Sequence, residues 1–166
     1  MSQTQIRRMA ILAVITAANI ALSFIVRIPT PATGGYVSTV DAGIFLVALL
    51  GGKRSGMIVG GLSGLLLDII ASAPEWMLFS LVIHGLEGYL VGQIGARKPW
   101  PQQVLALVVG SLVMIIGYVF AGAILVSWAA GVGGMLGNLG QVAMGLVVAL
   151  IMMPILKNRK EITKYL

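Results

Sequence analysis

WMLFSLVIHGLEGYLVGQIG, residues 76–95, is long and apolar enough to cross a bilayer, yet it carries His84 and Glu87 near its middle. The two lie three residues apart, so on a helix they share one face. Ionisable groups inside a membrane span are costly and are aimed at a partner, a cavity or a ligand. What surrounds this pair decides which of these applies.

The rest of the chain is of the same kind. Of 166 residues, 58% are hydrophobic and 10% are charged, with a mean hydropathy of +1.01. A soluble domain carries about 25% charged residues. The reading is an all-α integral membrane protein, a compact bundle of six transmembrane helices forming one domain over residues 1–166. The expected spans are 9–26, 40–52, 55–73, 76–95, 104–127 and 135–156. The absence of cysteine excludes disulfides and thiolate metal sites. The net charge of +6 does not point to nucleic acid, because the charges fall in the gaps between apolar segments.

Residues 1–8 form a polar lead ending in Arg7 and Arg8. A signal peptide has the same basic-then-apolar layout, but the spans that follow favour an uncleaved first helix. Residues 27–39, RIPTPATGGYVST, hold two prolines and two glycines and read as an external loop folding over the bundle. Asp41 opens the second span and reads as a helix N-terminal cap. Residues 72–75 and 128–134 read as turns, 96–103 as a basic connection with Trp100 at the interface, and 157–166 as a basic tail.

With the N-terminus inside, the inner segments hold Arg7, Arg8, Lys53, Arg54, Arg97, Lys98, Lys157, Arg159, Lys160 and Lys164. The outer segments hold Arg27 alone, so ten of the eleven basic residues fall on one side. The distribution predicts that both termini are cytoplasmic.

Depth along each span follows from a rise of about 1.5 Å per residue. His84 and Glu87 lie about 12 and 17 Å below the outer end of the fourth span, Tyr118 about 13 Å down the fifth, and Asn138 and Gln141 about 5 to 10 Å down the sixth. Asp68 and Asn19 also fall in the outer half. The inner half is nearly all apolar or glycine, which argues against a polar route through the full thickness. The pattern predicts a pocket open to the outside, with His84, Glu87, Asp68, Tyr118, Asn138 and Gln141 as substrate-binding residues. Tyr36 on the loop and Trp76 and Trp128 at outer helix ends are the expected aromatic walls and lid. A small, flat heteroaromatic molecule suits such a site.

Each feature also has a plainer reading. His84 and Glu87 can satisfy one another across helices, and an acid/base pair in a membrane enzyme is a further alternative. Two ligands without further His or Cys make a poor metal site, so none is expected. Asp68, Tyr118, Asn138 and Gln141 can equally bond neighbouring helices. Gly56, Gly60 and Gly64 form a small-residue row for helix packing. Ala13, Ala17 and Ala21 form a second row on the first span, either packed within the bundle or docked on another membrane protein.

These pieces resemble a known family. Six short spans, a long first external loop and the alanine row are similar to the substrate-binding (S) component of an energy-coupling-factor vitamin transporter. Residues 37–95, VSTVDAGIFLVALLGGKRSGMIVGGLSGLLLDIIASAPEWMLFSLVIHGLEGYLVGQIG, resemble the riboflavin-type branch in the order of loop, apolar helix, Gly-Gly-basic turn, Gly-rich helix with a late Asp, and HGLEG. The resemblance implies a bacterial plasma-membrane subunit that is not an enzyme and carries no cofactor. It would capture a vitamin or precursor outside, dock through Ala13, Ala17 and Ala21 on a transmembrane coupling protein, and be driven by two ATPase subunits that use the ATP. The chain has no GxxxxGK[ST] phosphate loop of its own. Hydroxymethylpyrimidine or a vitamin B6 compound is the favoured substrate. Pantothenate, kept open by Arg27, and riboflavin are the alternatives.

Overall fold

The computed structural model describes residues 2–30 and 35–157. The expected basic tail beyond Lys157, with Arg159, Lys160 and Lys164, lies outside the described residues, as does the tip of the first external loop.

Helix α1 (Gln3–Ile25) begins six residues earlier than the apolar run alone suggests. A capping box explains this: Gln5 N–H donates to Ser2 Oγ (3.3 Å) and Ser2 N–H to Gln5 Oε1 (2.9 Å). Its buried face is Leu12, Thr16, Asn19 and Ser23, at helical spacing. Asn19 Nδ2 donates to the Val40 carbonyl (3.1 Å) and Ser63 Oγ (3.2 Å), tying α1 to the next two helices.

The segment expected to be an external loop contains two strands among its described residues. Strands β1 (Arg27–Thr30) and β2 (Gly35–Ser38) pair antiparallel, with Arg27 opposite Ser38 and Pro29 opposite Tyr36. In a two-strand ribbon every strand is an edge, so Pro29 is tolerated.

Helix α2 (Val40–Gly51) is 12 residues long, about 18 Å by helical rise, shorter than a hydrocarbon core of about 30 Å. It is buried on nearly every side, and apart from Asp41 its residues are all apolar or glycine. Gly52 turns the chain directly into α3 (Lys53–Ile70) at φ 84°, a left-handed conformation that favours glycine.

Helices α3 and α4 (Met77–Gly95) are interlocked through glycine. A Cβ on Gly56 would meet the Gly88 carbonyl, one on Gly60 the His84 carbonyl, and one on Gly64 the Ser80 carbonyl. The expected packing row is therefore the α3–α4 interface, and it brings the backbones together at the height of His84.

Helix α5 (Trp100–Leu125) starts within the expected connection, because Pro101 is compatible with a first helical turn. Residues 128–133 are a short helix, α6 (Trp128–Gly133), where a plain turn was expected. Ser127 caps it, its Oγ accepting from Ala130 N–H (3.1 Å). Helix α7 (Met135–Leu156) keeps Pro154 in its last turn.

Leu12, Phe45, Leu49, Val59, Val91, Leu107 and Met153 form one apolar core. A second, around Trp76, Ile83, Met114, Ile115 and Val142, lies toward the end of the bundle that carries the hairpin. Large apolar side chains also face outward, including Leu78, Val82 and Leu86 on α4 and Leu112, Ile116 and Ile124 on α5. An outer surface of this kind belongs against lipid. Gln3–Ile25, Met77–Gly95, Trp100–Leu125 and, with α6 and α7 taken together, Trp128–Leu156 are each long and apolar enough to cross a membrane. The chain is an all-α membrane protein.

Candidate ligand pocket

His84 and Glu87 occupy the buried face of α4 and are 3% and 0% exposed. His84 Nδ1 lies 2.7 Å from Glu87 Oε2. A third group joins them: Asp41, also 0% exposed, places Oδ1 3.5 Å from the same nitrogen. Asp41 does not cap α2. Thr39 occupies the cap position, and Asp41 Oδ1 instead accepts from Gln141 Nε2 of α7 (3.2 Å). Gln141 Oε1 in turn accepts from the Ser38 N–H of β2 (2.7 Å). One amide thus fixes both the end of the hairpin and the carboxylate beside His84.

A cavity opens above His84, with about 640 Å³ free of protein atoms when its open mouth is included. Tyr36 and Ser38 line it from the hairpin, Asp68 from α3, Trp76 and His84 from the start and middle of α4, Tyr118 from α5, and Asn138 and Gln141 from α7. The Tyr118 ring stands edge-on to His84 (centroids 5.5 Å) and tilted to Trp76 (6.1 Å). Its hydroxyl is 2.6 Å from Ser80 Oγ.

Tyr36 spans the mouth. Its hydroxyl donates to Asp68 Oδ1 (3.2 Å), and the Arg27 guanidinium sits over its ring at 4.2 Å. Burial, then the neighbouring Asp68 carboxylate, pushes the Tyr36 phenol above its ordinary range, so it remains a donor.

Six of the eight expected substrate-binding residues line this cavity: Tyr36, Asp68, His84, Tyr118, Asn138 and Gln141. Glu87 lies behind His84 and reaches the cavity only through it. Trp128 is a correction. It is 61% exposed and packs on Phe120 (centroids 6.1 Å), outside the lining. Trp76 supplies the aromatic wall instead. The residue missed was Asp41, an acid in an otherwise apolar helix and so the same anomaly as HGLEG. With it, Asp41, His84 and Glu87 place three ligating atoms within 4.8 Å of one another, where the sequence offered two. The 2.7 Å contact between His84 and Glu87 is a hydrogen-bond distance.

Over residues 3–158 the chain matches the family described as ECF-type riboflavin transporter, S component. The chain belongs to that S-component family. It is 35% identical over 159 residues to the thiamine precursor transporter HmpT of Lactococcus lactis subsp. cremoris (strain MG1363), covering 95% of this chain and 92% of that protein. It is 36% identical over 138 residues to a Pyrococcus woesei protein described as an uncharacterized protein in the gap 3' region, covering 82% of this chain and 93% of that one. As an S component it is a membrane transport subunit and not an enzyme.

Proposed function

We propose that this S component binds a thiamine precursor, hydroxymethylpyrimidine, from the outer side of a bacterial plasma membrane, with both termini cytoplasmic. The observation that carries the substrate choice is the pocket's lining: aromatic faces from Tyr36, Trp76 and Tyr118, hydrogen-bonding groups from Asp68, His84, Asn138 and Gln141, and no Lys or Arg among the lining residues. Amino and hydroxyl groups on a flat ring match these partners. The carboxylate of pantothenate would be set near Asp68 with Arg27 engaged on the Tyr36 ring and is disfavoured. The similarity to a thiamine precursor transporter supports the same choice.

Delivery would run through a transmembrane coupling protein and two ATPases. Ala13, Ala17 and Ala21 are exposed on α1, on the side away from its buried Leu12, Thr16 and Asn19. This supports their expected role as the docking row, since small side chains let a partner helix approach closely.

Calorimetry of purified protein against hydroxymethylpyrimidine, pyridoxine, riboflavin and pantothenate tests the substrate. Tightest binding of riboflavin or pantothenate would overturn it. For the docking row, Ala17→Trp is expected to abolish uptake in cells supplying the coupling protein while leaving the dissociation constant unchanged. Uptake at the wild-type rate would remove the docking role.

A further inference from the structure

In and behind the pocket lie more acidic and accepting groups than the described residues satisfy: Asp68 and His84 line it, and Asp41 and Glu87 stand behind His84. Asp41, Asp68 and Glu87 are 0%, 7% and 0% exposed, and His84 is the single basic side chain among them. Three carboxyl groups thus share one basic side chain. Asp41 Oδ2, Asp68 Oδ2 and Glu87 Oε1 find no hydrogen-bond partner among the described residues. Arg27 contributes from the rim only, stacked on Tyr36. Buried charge of one sign is costly unless something neutralises it. The lining also holds Trp76 and Tyr118, aromatic rings of the kind that attracts cations as well as flat rings.

We propose that the pocket takes its ligand as an organic cation: an amino-heteroaromatic ring protonated on a ring nitrogen, with Asp68 and the Asp41–His84–Glu87 cluster as counter-charge. This rests on the substrate reading above and deepens it. The proton comes from water and is accepted by the ring nitrogen lone pair, so binding takes up one proton and breaks no bond in the ligand. The titratable groups around the site are Tyr36 of β2, Asp41 of α2, Asp68 of α3, His84 and Glu87 of α4, Tyr118 of α5, and Glu75 in the turn between α3 and α4. Helix α7 contributes the non-titrating Asn138 and Gln141, and α6 contributes Gly131.

The test is calorimetry of hydroxymethylpyrimidine binding to wild-type protein at a pH where the free ligand is neutral, in two buffers of different ionisation enthalpy. The expected result is uptake of about one proton per ligand, with the dissociation constant rising about tenfold per pH unit. A ring analogue with both nitrogens replaced by CH, equal in shape but without a basic ring atom, is expected to bind at least about 100-fold more weakly. Asp68→Asn is expected to reduce the proton uptake, with its thermal melt confirming that it folds. Equal heats in both buffers, or a pH-independent constant, would overturn the inference while leaving the substrate reading intact. Binding lost to a chelator and restored by a divalent ion would also overturn it, since a metal would then supply the charge. Failure of every ring in the panel to bind overturns both.

Discussion

The two ends of the bundle are built on opposite terms. Toward the cytoplasmic side in the proposed orientation, Phe45, Leu49, Val91, Leu107 and Met153 interlock into an apolar core. Toward the hairpin the same helices part around a cavity whose lining includes Asp68, His84, Asn138 and Gln141. One end is closed by dispersion and apolar burial, and the other is held open by polar groups that bond one another incompletely. A chain of this design can hold a solute near one face, and among the described residues its packed half is lined mainly by apolar side chains.

The contrast is most directly broken by one substitution in each half. His84→Ala removes a proposed ligand contact and strands Asp41 and Glu87, and is expected to weaken binding by about 100-fold or more. Leu49→Ala in the packed half is expected to cost about 2–5 kcal/mol of stability with little change in affinity. Thermal melts in detergent paired with binding isotherms check both. A large loss of affinity from Leu49→Ala would mean the halves are not independent.

A finer cut separates the mouth from the pocket interior. Tyr36→Phe keeps the ring beneath Arg27 but deletes the hydroxyl on Asp68. One hydrogen bond of about 1 kcal/mol corresponds to about a fivefold loss, expected in the dissociation rate measured by stopped-flow fluorescence. An unchanged release rate would show that the hairpin does not retain the ligand. At the smallest end, Trp128→Phe is expected to leave affinity within about twofold, because the ring sits outside the cavity. A tenfold loss would put it back among the binding residues.

Much of this arrangement was legible in the order of residues. The composition and apolar lengths pointed to a membrane bundle, and HGLEG contributes His84 to the cavity lining. The glycine row at 56, 60 and 64 announced a close helix contact because spacing alone places those residues on one face. What stayed hidden depended on partners distant in sequence. Asp41 in a first helical turn looks like a cap until Gln141, 100 residues later, is seen to claim its oxygen. Trp128 at a helix end can turn toward the cavity or away, and the short α6 turns it onto Phe120. The hairpin was obscured because prolines and glycines that exclude helix do not exclude a two-strand ribbon.

The glycine contact between α3 and α4 constrains how such a protein can change its diet. A side chain at Gly56, Gly60, Gly64 or Gly88 would run into the opposing backbone, so the backbone that carries His84 is held at a fixed distance from α3. Glycine contacts of the same kind fix α5 against α6 at Gly122 and Gly131 and α7 against α2 at Gly145, whereas Tyr36, Asp68, His84, Tyr118 and Asn138 line the cavity from these helices and the hairpin. A descendant that came to accept a different small molecule would rewrite these lining side chains and inherit the glycine contacts beneath them unchanged.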